Sequence, residues 1–190
     1  MSEIIKMTNI INNNPQQLAT LAGGCFWCIE GAFSQVQGIH SATSGYMGGN
    51  SDAPSYEEVC SGKSGHAEVV QLCFDPTIIS YQEILEIFFT LHDPTQLNRQ
   101  GNDIGTQYRS AVFYHDESQK NTVEQIITEM CAAHMFEQDI VTQICPVATF
   151  YSGEDYHQDY VNNNPENAYC QAVVSPKLAK FRKTFVSKLK

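Results

Sequence analysis

The chain has 190 residues, 42% of them hydrophobic, and carries a formal net charge of −10 from 11 Lys+Arg against 21 Asp+Glu. The size and apolar content fit one globular domain over 1–190 with a core able to fold alone, and the acidic balance argues against a nucleic-acid partner. No apolar run reaches the roughly 18 residues of a membrane-spanning helix, and seven irregularly spaced cysteines do not make a disulfide scaffold, so a reduced, cytoplasmic chain is expected.

Residues 1–16 read as a polar, Asn-rich extension without the long apolar stretch of a signal peptide. Gln17 to Gly24 is a short apolar run ending in two glycines and reads as a buried strand. Cys25 to Gln35 reads as a helix with Phe26, Ile29, Ala32 and Phe33 apolar, its first residue the cysteine. Ile39 to Tyr46 fits a strand, followed by an irregular stretch with Gly48, Gly49, Pro54 and Gly62. His66 to Phe74 is a strand closed by Asp75-Pro76. Ser80 with Glu83 has capping-box spacing, and the helix behind it carries Ile84, Leu85, Ile87, Phe88 and Leu91. Arg99 to Tyr108 is irregular and polar, Ser110 to Tyr114 a strand, and Glu117 to Met135 a helix. Ile140 to Tyr151 is a strand region, Asp155 to Asn162 a short helix, and Pro176 to Leu189 a final helix with a solvated basic face. Strands interleaved with helices in mixed order predict an α+β chain, a two-layer α/β sandwich; strand order does not follow from the pattern.

Chemistry concentrates at Gly23-Gly24-Cys25-Phe26-Trp27-Cys28. Glycines before a helix let the chain turn sharply and expose the next side chain. A cysteine there faces free N–H groups and the positive end of the helix dipole, which favour the thiolate. An arbitrary Cys-Phe-Trp would be core packing; the glycine pair and the strand-to-helix position favour a nucleophile. Cys25 and Cys28 also form a Cys-x-x-Cys, which fits a thioredoxin-like dithiol or half of a zinc site. The remaining cysteines supply no second close pair and the six histidines are scattered, so no metal is expected.

Glu68 lies on the face of Val70, Leu72 and Phe74 if its strand alternates. In apolar surroundings its carboxyl would stay protonated as a general acid; at a solvated strand end it would be merely exposed, and the pattern leaves both readings open. Two polar loops carry Tyr56 and Tyr108, phenols able to donate to an oxygen gaining negative charge; either tyrosine alone is more often a packing residue.

The strings GCFWC, SGYMGG, PSYEEV, SGKSGHAEV, GNDIGTQYRSA, YHQDY and NNPENAYC resemble the A-type methionine sulfoxide reductases, from about Leu21 to the C-terminus. The resemblance implies a ferredoxin-like core with a mixed sheet. It implies an oxidoreductase that reduces the S epimer of methionine sulfoxide, free or in oxidised proteins and peptides. Cys25 matches the nucleophile, Phe26 and Trp27 the aromatic pocket around the S-methyl group, and Glu68 the acid that protonates the sulfoxide oxygen. Tyr56 and Tyr108 match the phenols on that oxygen, and Asp103 a carboxylate at the rim. Cys25 would end as a sulfenic acid, a second thiol would close a disulfide, and thioredoxin would reduce it. No cofactor is implied, and a monomer is expected.

Many members have Gly where this chain has Cys28, and resolve through a C-terminal cysteine, the position Cys170 matches. The sequence favours Cys170, in a loop-like stretch free to move, over Cys28, whose disulfide would strain the first helical turn. A dithiol oxidoreductase using Cys25 and Cys28 alone would not need Glu68, Tyr56 or Tyr108. A non-catalytic thiol-bearing interaction protein would need none of them.

Overall fold

A computed structural model describes residues 15–190; the polar extension expected over 1–16 lies almost wholly outside the described residues. The described residues form eight strands: β1 (Gln17–Gly23), β2 (Ile39–Met47), β3 (Ala67–Phe74), β4 (Arg99–Gln100), β5 (Asp103–Ile104), β6 (Ser110–Tyr114), β7 (Gln143–Pro146) and β8 (Tyr151–Ser152). The α-helices are α1 (Phe26–Phe33), α2 (Tyr56–Cys60), α3 (Tyr81–Leu91), α4 (Glu117–Ala132), α5 (Tyr160–Asn163) and α6 (Ser175–Thr184). Six strands form one sheet in the order β7-β6-β1-β3-β2-β8, and β4 and β5 pair as a separate hairpin. β6 and β7 run parallel and the other pairs antiparallel, so the sheet is mixed. In the inner four strands β1-α1-β2 and β3-α3-β6 are interleaved, the ferredoxin-like arrangement that the resemblance implies. No helix among the described residues is long and apolar enough to cross a membrane.

Alternation along β3 assigns the two faces. Val70, Leu72 and Phe74 join the main core under α1, α3 and α6, with Leu21, Ile29, Phe33, Leu85 and Phe88. Ala67 and Val69 join a smaller cluster with Met47, Ala111 and Phe113. Fully burying each such large side chain contributes about 1.5–3 kcal/mol. β1 is central because its Ala19 and Leu21 are wholly buried, and because it offers both edges, to β3 and to β6.

The structure departs from the expected elements in several places. α2 stands inside the stretch read as irregular; Ser55 and Glu58 close a capping box at its start. α4 stops at Ala132 rather than Met135, where His134 takes a left-handed φ of 49°. The single strand region expected over 140–151 is two strands on opposite edges: β7 beside β6, β8 beside β2. Asp155 to Asn162 splits into a 3₁₀ turn, Asp155–His157, and α5. The last helix starts earlier than expected, as a π-helical turn over Cys170–Val174 running directly into α6. Cys170 is therefore a buried helical residue, 1% exposed, and not part of a mobile loop.

Candidate active site

β1 ends in the main sheet, and the chain must turn at once to lay α1 across it. Gly24 makes that turn at φ +91°, where a Cβ would lie 2.7 Å from the side chain of Gln100. Cys25 follows as the N-cap of α1, one residue ahead of the helix, with no side-chain cap. The first free N–H of the helix, on Phe26, donates to Glu68 Oε2 at 3.0 Å. The helix start thus solvates a carboxyl group from β3 as well as facing the cysteine.

Glu68 is 2% exposed, so its strand end is not solvated. Burial holds its carboxyl well above the usual carboxylate range; charge on Cys25 pushes the same way, and the Phe26 N–H opposes both. No cation pairs with Glu68 among the described ion pairs. With Oε2 occupied as acceptor, Oε1 is the natural site of the proton.

Burial also pushes the Cys25 thiol up, and Cys28 adds to that, while the Tyr169 hydroxyl and the Trp27 N–H pull it down. Burial therefore works against the helix start that favours the Cys25 thiolate. The neighbouring Cys28 moves the other way, lowered first by its hydrogen bond with Cys25 and further by Lys177. All seven cysteines are free.

The remaining groups arrive from separate elements. Tyr56 is the first residue of α2, not a loop residue as expected, and Tyr108 closes a 3₁₀ turn, Thr106–Tyr108. Gln107 ties those two segments together by donating to the Cys60 carbonyl at 3.2 Å. Burial keeps both phenols protonated, raised above the ordinary tyrosine range, with Glu68 adding to each. Asp103, in β5, accepts from the Tyr169 hydroxyl at 2.7 Å. Trp27 stacks on Tyr160 with centroids 3.7 Å apart and planes 6° apart, and Tyr169 meets its edge at 5.9 Å.

Cys25, Phe26, Trp27, Tyr56, Glu68, Asp103, Tyr108 and Tyr169 line one hollow of about 190 Å³. All seven side chains singled out from the sequence for reaction or substrate contact are in it. The one addition, Tyr169, sits immediately before Cys170 in the NNPENAYC string, which was its only signal. Hollows of about 350 and 360 Å³ against α3 and one of about 280 Å³ beside Asp93 are larger but are lined by no cysteine; the smaller one has the chemistry. No group of three or more His, Cys, Asp and Glu among the described residues could hold a metal ion.

The arrangement puts a thiol, a protonated acid, two phenols and an aromatic wall around a space sized for the end of one side chain. A sequence model of peptide methionine sulfoxide reductase matches residues 17–189. The chain is 51% identical over 171 residues to a peptide methionine sulfoxide reductase MsrA of Natronomonas pharaonis, covering 90% of this chain and 96% of that one. Among solved structures, reduced Mxr1 from Saccharomyces cerevisiae superposes with a TM-score of 0.74 at 36% identity, over 82% of this chain and 89% of that one. Mxr1 in complex with Trx2 matches with a TM-score of 0.53 at 25% identity, over 78% of this chain and 86% of that one.

Proposed function

The chain belongs to the peptide methionine sulfoxide reductase family, an oxidoreductase acting on methionine sulfoxide, and on that premise we propose that Cys25 attacks the sulfoxide sulfur while Glu68 protonates its oxygen. The observation that carries this reading is the pair itself: a buried carboxyl with no cation beside it among the described residues, its pKa pushed up by burial, lines the same hollow as the thiol. A sulfoxide sulfur is weakly electrophilic, and its oxygen must gain a proton before the S–O bond breaks. Glu68 supplies that proton. The carboxylate left behind receives the Cys25 proton as the new bond forms. The phenols of Tyr56 and Tyr108 donate to the oxygen and share its charge. The S–O bond and the new S–S bond then break as the hydroxyl passes to the Cys25 sulfur, which leaves Cys25 as a sulfenic acid and releases methionine reduced by two electrons. Phe26 and Trp27 hold the S-methyl group by apolar contact, with Asp103 at the rim fixing Tyr169. An aromatic methyl pocket, an oxygen cluster and a thiol are three distinct contacts on a pyramidal sulfur, which favours the S epimer over the R.

The second thiol condenses with the sulfenic acid, forming a disulfide and releasing water. Both reasons for preferring Cys170 weaken in this geometry. Cys170 is buried in a helical turn, and Cys25 is an N-cap with non-helical backbone, which gives a bridge to Cys28 more latitude than one within the helix. Cys28 shares a hydrogen bond with Cys25 that pulls its own thiol pKa down. Cys28 is therefore assigned as the resolving thiol, with Cys170 the competing one. An external dithiol regenerates the enzyme; the complex of Mxr1 with Trx2 supports thioredoxin in that role.

A single turnover tests the scheme. Reduced enzyme mixed with excess S-sulfoxide peptide and no reductant should release one equivalent of methionine peptide and lose two thiols. Peptide mapping should then find Cys25 joined to Cys28. Equal rates on the R epimer would remove the handed pocket, and a Cys25–Cys170 disulfide formed at full rate in Cys28→Ser would return the resolving role to Cys170.

A further inference from the structure

Glu30 lies on α1 one turn beyond Trp27, 4% exposed and outside the hollow. Its Oε1 accepts the Asp159 N–H at 2.9 Å, and the Tyr160 N–H draws on the same carboxyl. Asp159 precedes α5 at φ 51°, a left-handed conformation that a residue with a side chain keeps only when its surroundings impose it. Its side chain does not cap the helix; Oδ1 accepts from Asn162 Nδ2 at 2.7 Å. The N–H groups at the start of α5 are met instead by a buried carboxyl from another element.

α5 has four residues, a single turn, too short to hold itself. The segment around it touches the site on two sides. Tyr160 is the ring stacked on Trp27, and Glu154 Oε1 accepts the Tyr56 N–H at 2.9 Å. Between them Gln158 is tied to the Ser44 backbone of β2 through Oε1 and Nε2, at 3.1 and 3.0 Å. We propose that Glu30 is a positioning residue: its carboxylate, holding the Asp159 N–H, fixes the left-handed turn from which Tyr160 and Glu154 reach the substrate site. Its grip depends on its charge, because an ionised acceptor binds an N–H roughly twice as strongly as a neutral one. Burial above all brings the Glu30 carboxyl up to about 7; the Asp159 carboxylate helps and the two N–H groups oppose. From β2 its polar neighbour is the neutral Ser44, and α6 packs beside it through Leu178 against Gly31. The turn is therefore held by an anion above neutral pH and by a neutral acid below it.

This inference rests on reading the hollow as the sulfoxide site, and the test separates the two. KM for an S-sulfoxide methionine peptide should rise about 3- to 10-fold in the parent as pH falls from about 8 to about 6, with no matching fall in the single-turnover rate at saturation. Glu68 acts in the opposite sense, on the rate and at rising pH. Glu30→Gln keeps the shape and an acceptor oxygen but carries no charge, so its KM should be high and flat across the same range. Asp159→Asn keeps an acceptor for Asn162 and removes the like charge, so the KM limb should move to lower pH. The parent profile and Asp159→Asn thus read the anchor without altering Glu30. If Glu68→Gln leaves the single-turnover rate unchanged, the reading of the hollow fails. Where Glu68→Gln does slow it, any one of three results overturns the role of Glu30: a flat KM in the parent, a limb that persists in Glu30→Gln, or a limb that Asp159→Asn does not move.

Discussion

Two of the glutamates that accept a backbone N–H at the start of a helix, Glu83 and Glu68, are pushed in opposite directions by their surroundings. At α3, Glu83 Oε2 accepts the Ser80 N–H at 2.8 Å while Ser80 Oγ accepts the Glu83 N–H at 3.2 Å. Glu83 is also paired with Lys188, and that contact first, then the Ser80 N–H, brings its carboxyl down to about 2. At α1 there is no such cap; Phe26 donates across to Glu68 on another strand, and burial holds that carboxyl up. The N–H contact is the same. Solvent and a lysine make one glutamate a permanent anion, and their absence makes the other a proton donor. The ordinary capping rule is kept where the helix only has to begin and abandoned where a proton is needed.

The sharpest break of this contrast is Cys25→Ser, which should reduce methionine formation to the uncatalysed level with dithiothreitol as reductant, since a hydroxyl is far less nucleophilic. Appreciable turnover would take Cys25 out of the reaction.

Next in size is Glu68→Gln, which can keep the Phe26 contact but cannot give up a proton. It should slow the single turnover by roughly 10²–10⁴-fold, while Glu83→Gln leaves the rate unchanged. The pH dependence follows the same split. The acid form of Glu68 is required, so the rate should fall as pH rises through its raised pKa, and Glu68→Gln should lack that limb. Stability falls with rising pH as well, but the substitution acts on it in the opposite sense. A carboxyl raised by folding weakens the fold as pH rises from the ordinary carboxylate range, so Glu68→Gln should melt higher than the parent at neutral pH. Glu83, lowered by folding, contributes above that range and loses its contribution as pH falls toward 2. A stability loss in Glu68→Gln with an unchanged rate would make Glu68 a structural residue.

Gly24→Ala should cost about 1–3 kcal/mol, from a side chain forced to positive φ and against Gln100, and should lower the rate by shifting Cys25. Thermal melts and single turnovers together check it; a variant as stable and active as the parent would mean that the turn tolerates a side chain. Smallest is Ser80→Ala, expected to remove about 1 kcal/mol of stability with turnover untouched, the mirror image of the changes at α1.

The same contrast explains what could be read from the sequence. Elements specified by local pattern were legible: β3 from its alternation, α3 from Ser80 and Glu83, the turn before Cys25 from its glycines. α2 was equally legible in principle, since Ser55 and Glu58 repeat the spacing of Ser80 and Glu83, but the glycines and prolines around it masked the signal. Strand order was not legible, because β7 reaches the far edge only through a long crossover and nothing in Gln143–Pro146 specifies a parallel partner. At the site, residue types pointed to chemistry, but environment was hidden. Whether Glu68 is solvated depends on Phe26, 42 positions away. The surroundings of Cys170 depend on how the chain after Asn163 folds back under α1.

The π-helical turn over Cys170–Val174 bears on which changes of chain length the site can tolerate. Such a turn holds one residue more than an α-helical turn, so it behaves as an insertion that has been absorbed without breaking the helix. Removing one residue there, for example Ala172, would let the segment relax to α with the helix on either side keeping nearly its present facing, whereas adding a residue has no such reserve and would turn everything before it by about 100° relative to α6. Cys170 would then leave the core, and the Tyr169 hydroxyl would lose Asp103 and the edge of Trp27. Deleting Ala172, which is exposed, should therefore leave melting and turnover close to the parent, whereas inserting a residue beside it should abolish activity in a chain that still melts cooperatively. The last helix thus carries one residue of slack, usable in one direction only.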